Sequence, residues 1–245
     1  MDQQTKAALK QDKFVSTTTE GIEWAGEHRR SMIVNGAIAL GVILVVVIAG
    51  AIYNHRSEKA SAAFGEAMQV YETPLAPESQ SDSSSGKTYA TAEERAKAAG
   101  ALFQAIADQY GCTSAGRNAR YFAGITYIEA GEKQQAEDTL KKVASGWDSD
   151  LSGLAKFALA QIYHNGGRDA EAIEIYTKLT KKPSATVPAG LAQLQLADLY
   201  QSEGKTDQAK AIYATLKQDD PKSVAGQMAA EKLNPEATSP TGQGQ

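Results

Sequence analysis

Cysteine is almost absent from this chain. One residue of this type, Cys112, occurs in 245, which rules out an intramolecular disulfide framework. A single thiol with no internal partner is compatible with an oxidising compartment. Aromatic residues reach only 7%, and several of the ten tyrosines fall within one repeated motif. An excess of positive charge is missing too. Lys and Arg number 25 against 29 Asp and Glu, for a formal net charge of −4, and no segment forms a strongly basic stripe. The long-range attraction to phosphate on which nucleic-acid binding rests is therefore lacking.

Catalytic and metal-binding patterns are equally scarce. His28, His55 and His164 lie far apart, and two of them flank an apolar run. There is no His–Glu–x–x–His pair, no cysteine cluster and no Gly-rich loop that would cradle phosphate. Cys112 follows Gly111 without a nearby histidine, and a thiol nucleophile needs a base and an oriented partner. The expectation is a chain that is not an enzyme and takes no cofactor or metal.

What the chain does have begins with residues 32–53, MIVNGAIALGVILVVVIAGAIY, in which Asn35 is the one strongly polar member. About 20 apolar residues in a helix cross a bilayer core roughly 30 Å thick. Arg29 and Arg30 flank one end, Arg56 and Lys59 the other, with Trp24 and Tyr53 near the two interfaces. A buried core helix would need a surrounding domain that the polar segment 1–31 does not supply. A cleaved signal peptide has a shorter apolar region, of about 7–15 residues. The run is therefore read as a transmembrane anchor in contact with the lipid bilayer. Lys13, Arg29 and Arg30 before it, against Arg56 and Lys59 after it, favour a cytoplasmic N-terminus. Ala37 and Gly41 form a small-xxx-small pair that permits close helix approach and a homo-oligomer. In the segment 1–31, Thr17–Glu20 resembles a capping box, so a short amphipathic helix and a solvated tail are both open.

Beyond the anchor the sequence repeats itself. Tyr127, Tyr163 and Tyr200 stand 36 and 37 residues apart. Four residues after each comes glycine (Gly131, Gly167, Gly204), and nine after each comes alanine (Ala136, Ala172, Ala209). Thirteen on stand Leu140, Tyr176 and Tyr213, and sixteen on Val143, Leu179 and Leu216. Self-similarity at this period predicts a stacked array of helix pairs. Gly131 and its counterparts end the first helix of each pair, while Pro183 and Pro221 stop the second. Three such units occupy 117–221. A degenerate pair over 54–111 precedes them, with Phe64, Ala67, Met68 and Tyr71 on one helix and Ala99, Phe103 and Ile106 on the other. Its Ser- and Pro-rich connection, 72–90, reads as a flexible surface loop. Residues 222–233 read as a capping helix, and 234–245 as a disordered tail.

These motifs resemble the tetratricopeptide repeat (TPR) family, over about 117–221 and more weakly from 60. The family's early tryptophan position holds Arg120, Lys156 and Gln193, and its first-helix glycine is kept only as Gly124. The fold class expected is all-α, a single N-terminal transmembrane helix followed by a TPR-like α-solenoid. The segment EWAGEHRRSMIVNGAIALGVILVV before the repeats is similar to the bacterial ancillary subunits of the SecYEG translocon. That resemblance implies a single-pass inner-membrane protein with periplasmic repeats, a scaffold for translocon subunits or periplasmic chaperones. The alternative is a structural envelope-assembly or cell-division-associated protein acting through oligomerisation.

In a TPR superhelix the first helices line the concave face. Helical projection places Tyr121, Phe157 and Leu194 at equivalent inward positions, with Ile125, Gln161 and Asp198 one turn further on. An apolar stripe beside polar groups suits a bound peptide. The alternative is that Tyr121 and Phe157 pack between adjacent repeats. The cations with which some TPR proteins clamp a C-terminal carboxylate are nearly absent from this row, so a partner with an acidic tail is disfavoured.

Overall fold

The three repeated glycines reverse the chain. In this computed structural model, which describes residues 29–76 and 88–234, Gly131, Gly167 and Gly204 have φ of 74°, 72° and 76°. A Cβ is strained in that left-handed region. The amides of Glu132, Arg168 and Lys205 each donate to the carbonyl of Tyr127, Tyr163 or Tyr200 at 2.8 Å. The glycine amides donate to Ile128, His164 and Gln201. Both bonds of a Schellman cap are thus made at every repeat, and the next helix starts at once, folded back on the first.

The helices are α1 (Arg29–Tyr71), α2 (Ala92–Tyr110), α3 (Ser114–Glu129), α4 (Lys133–Ala144), α5 (Ser149–Asn165), α6 (Asp169–Lys181), α7 (Ala189–Ser202), α8 (Thr206–Asp219) and α9 (Val224–Leu233). The described residues contain no β-strand, only an isolated bridge between Leu75 and Tyr89. The expectations for most of 1–31, for the centre of the 72–90 connection and for the tail beyond 234 fall outside the described residues. Helix α1 begins at Arg29 and ends at Tyr71, so the apolar run occupies only part of a longer helix.

The chain divides into two units, 1–56 and 57–245. In the first, the large aliphatic residues of α1 from Ile33 to Ile52 are exposed, from Val34 at 49% to Leu40 at 69%. It is the one helix among the described residues long and apolar enough to cross a membrane. Asn35 turns its amide to the Ser31 hydroxyl within the same helix.

In the second unit, α2 to α9 form successive antiparallel pairs, each packed on its neighbours. An aromatic cluster joins the last turns of α1 to α2 and α3: Phe64, Phe103 and Phe122 have ring centroids 5.3–5.6 Å apart. The middle core gathers Leu140, Leu159, Tyr163, Tyr176 and Leu196, and the last gathers Leu194, Tyr213, Leu216 and Ala229. Small residues set the helix spacing. A Cβ on Gly124 would stand 2.7 Å from the Leu140 side chain. Helix starts are capped by Thr91, Thr113, Asp148 and Ser223 side chains, each accepting an amide of the first turn. At the end of the array α9 covers α8, but Val224 and Met228 on its far side are 74% and 40% exposed.

One ion network ties two repeats together. Arg168, just after the second Schellman turn, makes two 2.6 Å bonds to Glu171 and one of 2.8 Å to Glu137 on α4. Its guanidinium also lies 3.9 Å from the centroid of Tyr163. The Glu137 side chain is only 12% exposed. Lys141 first, and Arg168 with it, hold its carboxyl below the usual range despite the opposing effect of burial. A folded-state pKa below the unfolded one adds stability above the unfolded value, lost as pH falls through the folded value. In detergent solution Glu137→Gln should therefore lose on the order of 1 kcal/mol at neutral pH. The difference from wild type, read as a urea midpoint, should begin to narrow below about pH 4 and close once pH is below the lowered folded-state value. A gap that does not narrow as pH falls further, through the lowered folded-state value, would show that charge is not its source.

Candidate protein-binding surface

The first helices of the pairs, α3, α5 and α7, carry the residues expected to face a partner. Tyr121 and Ile125 on α3 and Phe157 on α5 come together against one core, the middle one. All three are half-buried. Tyr121 meets Phe122 edge-on at 5.6 Å, and burial pushes its hydroxyl pKa up. Phe157 stands edge-on to Tyr176 at 5.6 Å. Gln161, one turn beyond Phe157, is exposed. Together these four form a half-buried apolar edge with an exposed amide beside it. The rings are shared between the core and the surface, so both packing between repeats and contact with a partner draw on them.

Leu194 and Asp198 do not extend this row. Leu194 is 2% exposed and belongs to the last core, with Tyr213, Leu216 and Ala229. A leucine at this register ends inside the packed layer, where the longer rings of Tyr121 and Phe157 reach its edge. Asp198 is occupied: it accepts from the Tyr213 hydroxyl at 2.6 Å and from Lys232 Nζ at 2.9 Å. Burial and the Asp198 carboxylate together push the Tyr213 pKa far up. Equivalent spacing in sequence thus becomes internal structure at the last repeat.

A second surface lies where α3, the end of α4 and the start of α5 meet. Arg117, Arg120 and Lys142 surround a hollow whose apolar wall is Val143, Trp147 and Leu151. The Arg117 guanidinium sits 4.7 Å from the centroid of Trp147, a ring that is 81% exposed. The spacing argument passes over this corner, because its members come from two helices and a linker with no common period. The available signal was a tryptophan placed in a short polar connection, outside the helical repeat.

Residues 23–234 match the family model described as the tetratricopeptide repeat-like domain. The chain belongs to this family. In the solved structures, a crystal structure of nearly identical TPR-like repeats from a Podosopora anserina kinesin light chain superposes with a TM-score of 0.53. It covers 73% of this chain and 84% of that one at 14% identity, a likeness of fold. No curated protein matches the chain in sequence.

As a TPR-like solenoid the molecule offers surfaces for protein–protein contact and no clustered metal ligands among the described residues. The division between core and surface along its first helices is open to direct measurement. Leu194→Ala should destabilise the repeats by about 2–5 kcal/mol, whereas Gln161→Ala should stay within about 0.5 kcal/mol of wild type. Urea unfolding followed by circular dichroism checks both, and equal effects would contradict the assignment.

Proposed function

We propose that this TPR-like protein is a membrane-anchored scaffold that binds protein partners on the periplasmic side of a bacterial inner membrane, near the protein-export translocon and its chaperones. The observation that carries the reading is the half-buried edge formed by Tyr121, Ile125 and Phe157 on successive first helices. Rigid aromatic side chains shared between core and surface are suited to peptide recognition, because little conformational freedom is lost when they are covered. The reading is one of binding, not catalysis.

The anchor is argued from the apolar stretch of α1, whose exposed Val, Ile and Leu side chains call for an apolar solvent. The charge difference across 32–53 supports a cytoplasmic N-terminus. The resemblance of the segment around 23–46 to ancillary translocon subunits supports the same orientation and the export setting.

Photo-crosslinkers placed at residues 121 and 157 of the full chain in native membranes test the reading. Translocon subunits or exported chains are the expected products, and recovery should fall at least about tenfold when Tyr121 and Phe157 are both changed to serine with folding intact. Self-crosslinks alone would favour an assembly role through oligomerisation instead. For sidedness, protease added outside spheroplasts should digest the repeats, and protection of the repeats would reverse the orientation.

A further inference from the structure

The corner around Trp147 is open, while the same corner one repeat later is closed by the chain itself. Arg117 and Gly153 are equivalent positions 36 residues apart, and so are Trp147 and Pro183. At the second corner the linker between α6 and α7 folds down onto α5. The Ala185 amide donates to Asp150 Oδ1 at 3.0 Å and the Thr186 hydroxyl to the Asp150 carbonyl at 2.8 Å. The Ser184 hydroxyl lies 2.6 Å from where a Cβ on Gly153 would stand. At the first corner the linker is only 145–148, and it leaves Trp147 turned outward.

The open corner is cationic in a chain of net negative charge. Arg117 donates to the Cys112 carbonyl and the Ser114 hydroxyl, and Arg120 to the Ala107 carbonyl, each at 3.0–3.1 Å. These neutral acceptors fix the guanidinium groups without cancelling their charge. Lys142 has no carboxylate within ion-pairing distance among the described residues, and neither arginine has one. Two acids share the neighbourhood without pairing to these cations: Asp148 lines the same hollow, and Asp108 lies beside Arg120 and Lys142. Asp148 accepts the amides of Asp150 and Leu151 as the cap of α5, and Asp108 accepts from Gln104 at 2.9 Å. Arg117 Nε is buried without a hydrogen-bond partner.

We propose that this corner binds an acidic segment of a partner protein. A carboxylate is held by Arg117, Arg120 and Lys142, and a neighbouring apolar side chain lies on Trp147 and Leu151. Guanidinium groups already held in position lose little freedom in gripping a carboxylate, and tryptophan and arginine are the residue types that dominate interface energies. Three cations outnumber the one carboxylate lining the hollow, Asp148, and none is ion-paired to it, which supplies the charge complementarity. The sequence alone disfavours an acidic partner because the first-helix row lacks cations; this corner, outside that row, supplies them. This inference rests on the solenoid being a protein-binding scaffold and is tested apart from the Tyr121 and Phe157 edge.

The test titrates the full chain in neutral detergent against a short fluorescein-labelled peptide of alternating glutamate and leucine, read by fluorescence anisotropy. Binding is expected to weaken at least about tenfold in Arg117→Gln/Lys142→Gln and in Trp147→Ala. The same loss is expected when the peptide's glutamates become glutamines. Lys181→Gln/Lys182→Gln, at the closed corner, should leave binding unchanged. Failure of the acidic peptide to bind overturns the proposal, as does equal binding by the Arg117→Gln/Lys142→Gln variant. Charge-dependent capture by anionic phospholipid vesicles without peptide binding overturns it in favour of a lipid surface. Loss only in Tyr121→Ser/Phe157→Ser overturns the corner while leaving the scaffold reading in place.

Discussion

The bond from the amide after each repeated glycine to the tyrosine carbonyl before it is the constraint on which the solenoid depends. It closes the first helix of a pair and aims the chain backward, so the alanine five residues beyond the glycine meets the first helix from the opposite side. The aliphatic or aromatic residues further on then fill the layer between pairs. Without that left-handed turn the apolar faces of α3 and α4, α5 and α6, or α7 and α8 would not face one another, and a single amphipathic helix has nowhere to bury its stripe.

Given the turns, the layers differ by what each junction adds. The first is aromatic, with Phe64, Phe103 and Phe122 packed ring to ring. The middle one adds the reach of Arg168 across to Glu137, a polar link over an apolar seam. The last is smaller, and its Tyr213–Asp198–Lys232 chain of bonds occupies Asp198, whose equivalent one repeat earlier, Gln161, is exposed. The local differences decide which surfaces are finished and which are open to another molecule.

The helix pairs were legible in the sequence because every signal that makes them is local. Gly131, Gly167 and Gly204 act within a few residues, and the alanine and leucine positions follow a helical period. The fate of Leu194 was not legible in this way. Its register equals that of Tyr121 and Phe157, but whether a side chain stops inside the layer depends on its length and on the helix packed against it. The Trp147 corner was less legible still. Arg117 and Trp147 are 30 residues apart, and the openness of their corner follows from how a different linker closes the next one.

The exposed far side of α9 has a further consequence. Every inner helix is gripped by neighbours before and after it, but among the described residues α9 is packed from one side only, with Val224 and Met228 exposed. In a stack whose units touch only their neighbours, cohesion is a nearest-neighbour sum. The terminal unit therefore opens at the lowest cost. Fraying starts there and travels inward through α8 like an unfastening zipper, with the Lys232–Asp198 bond as its first tooth.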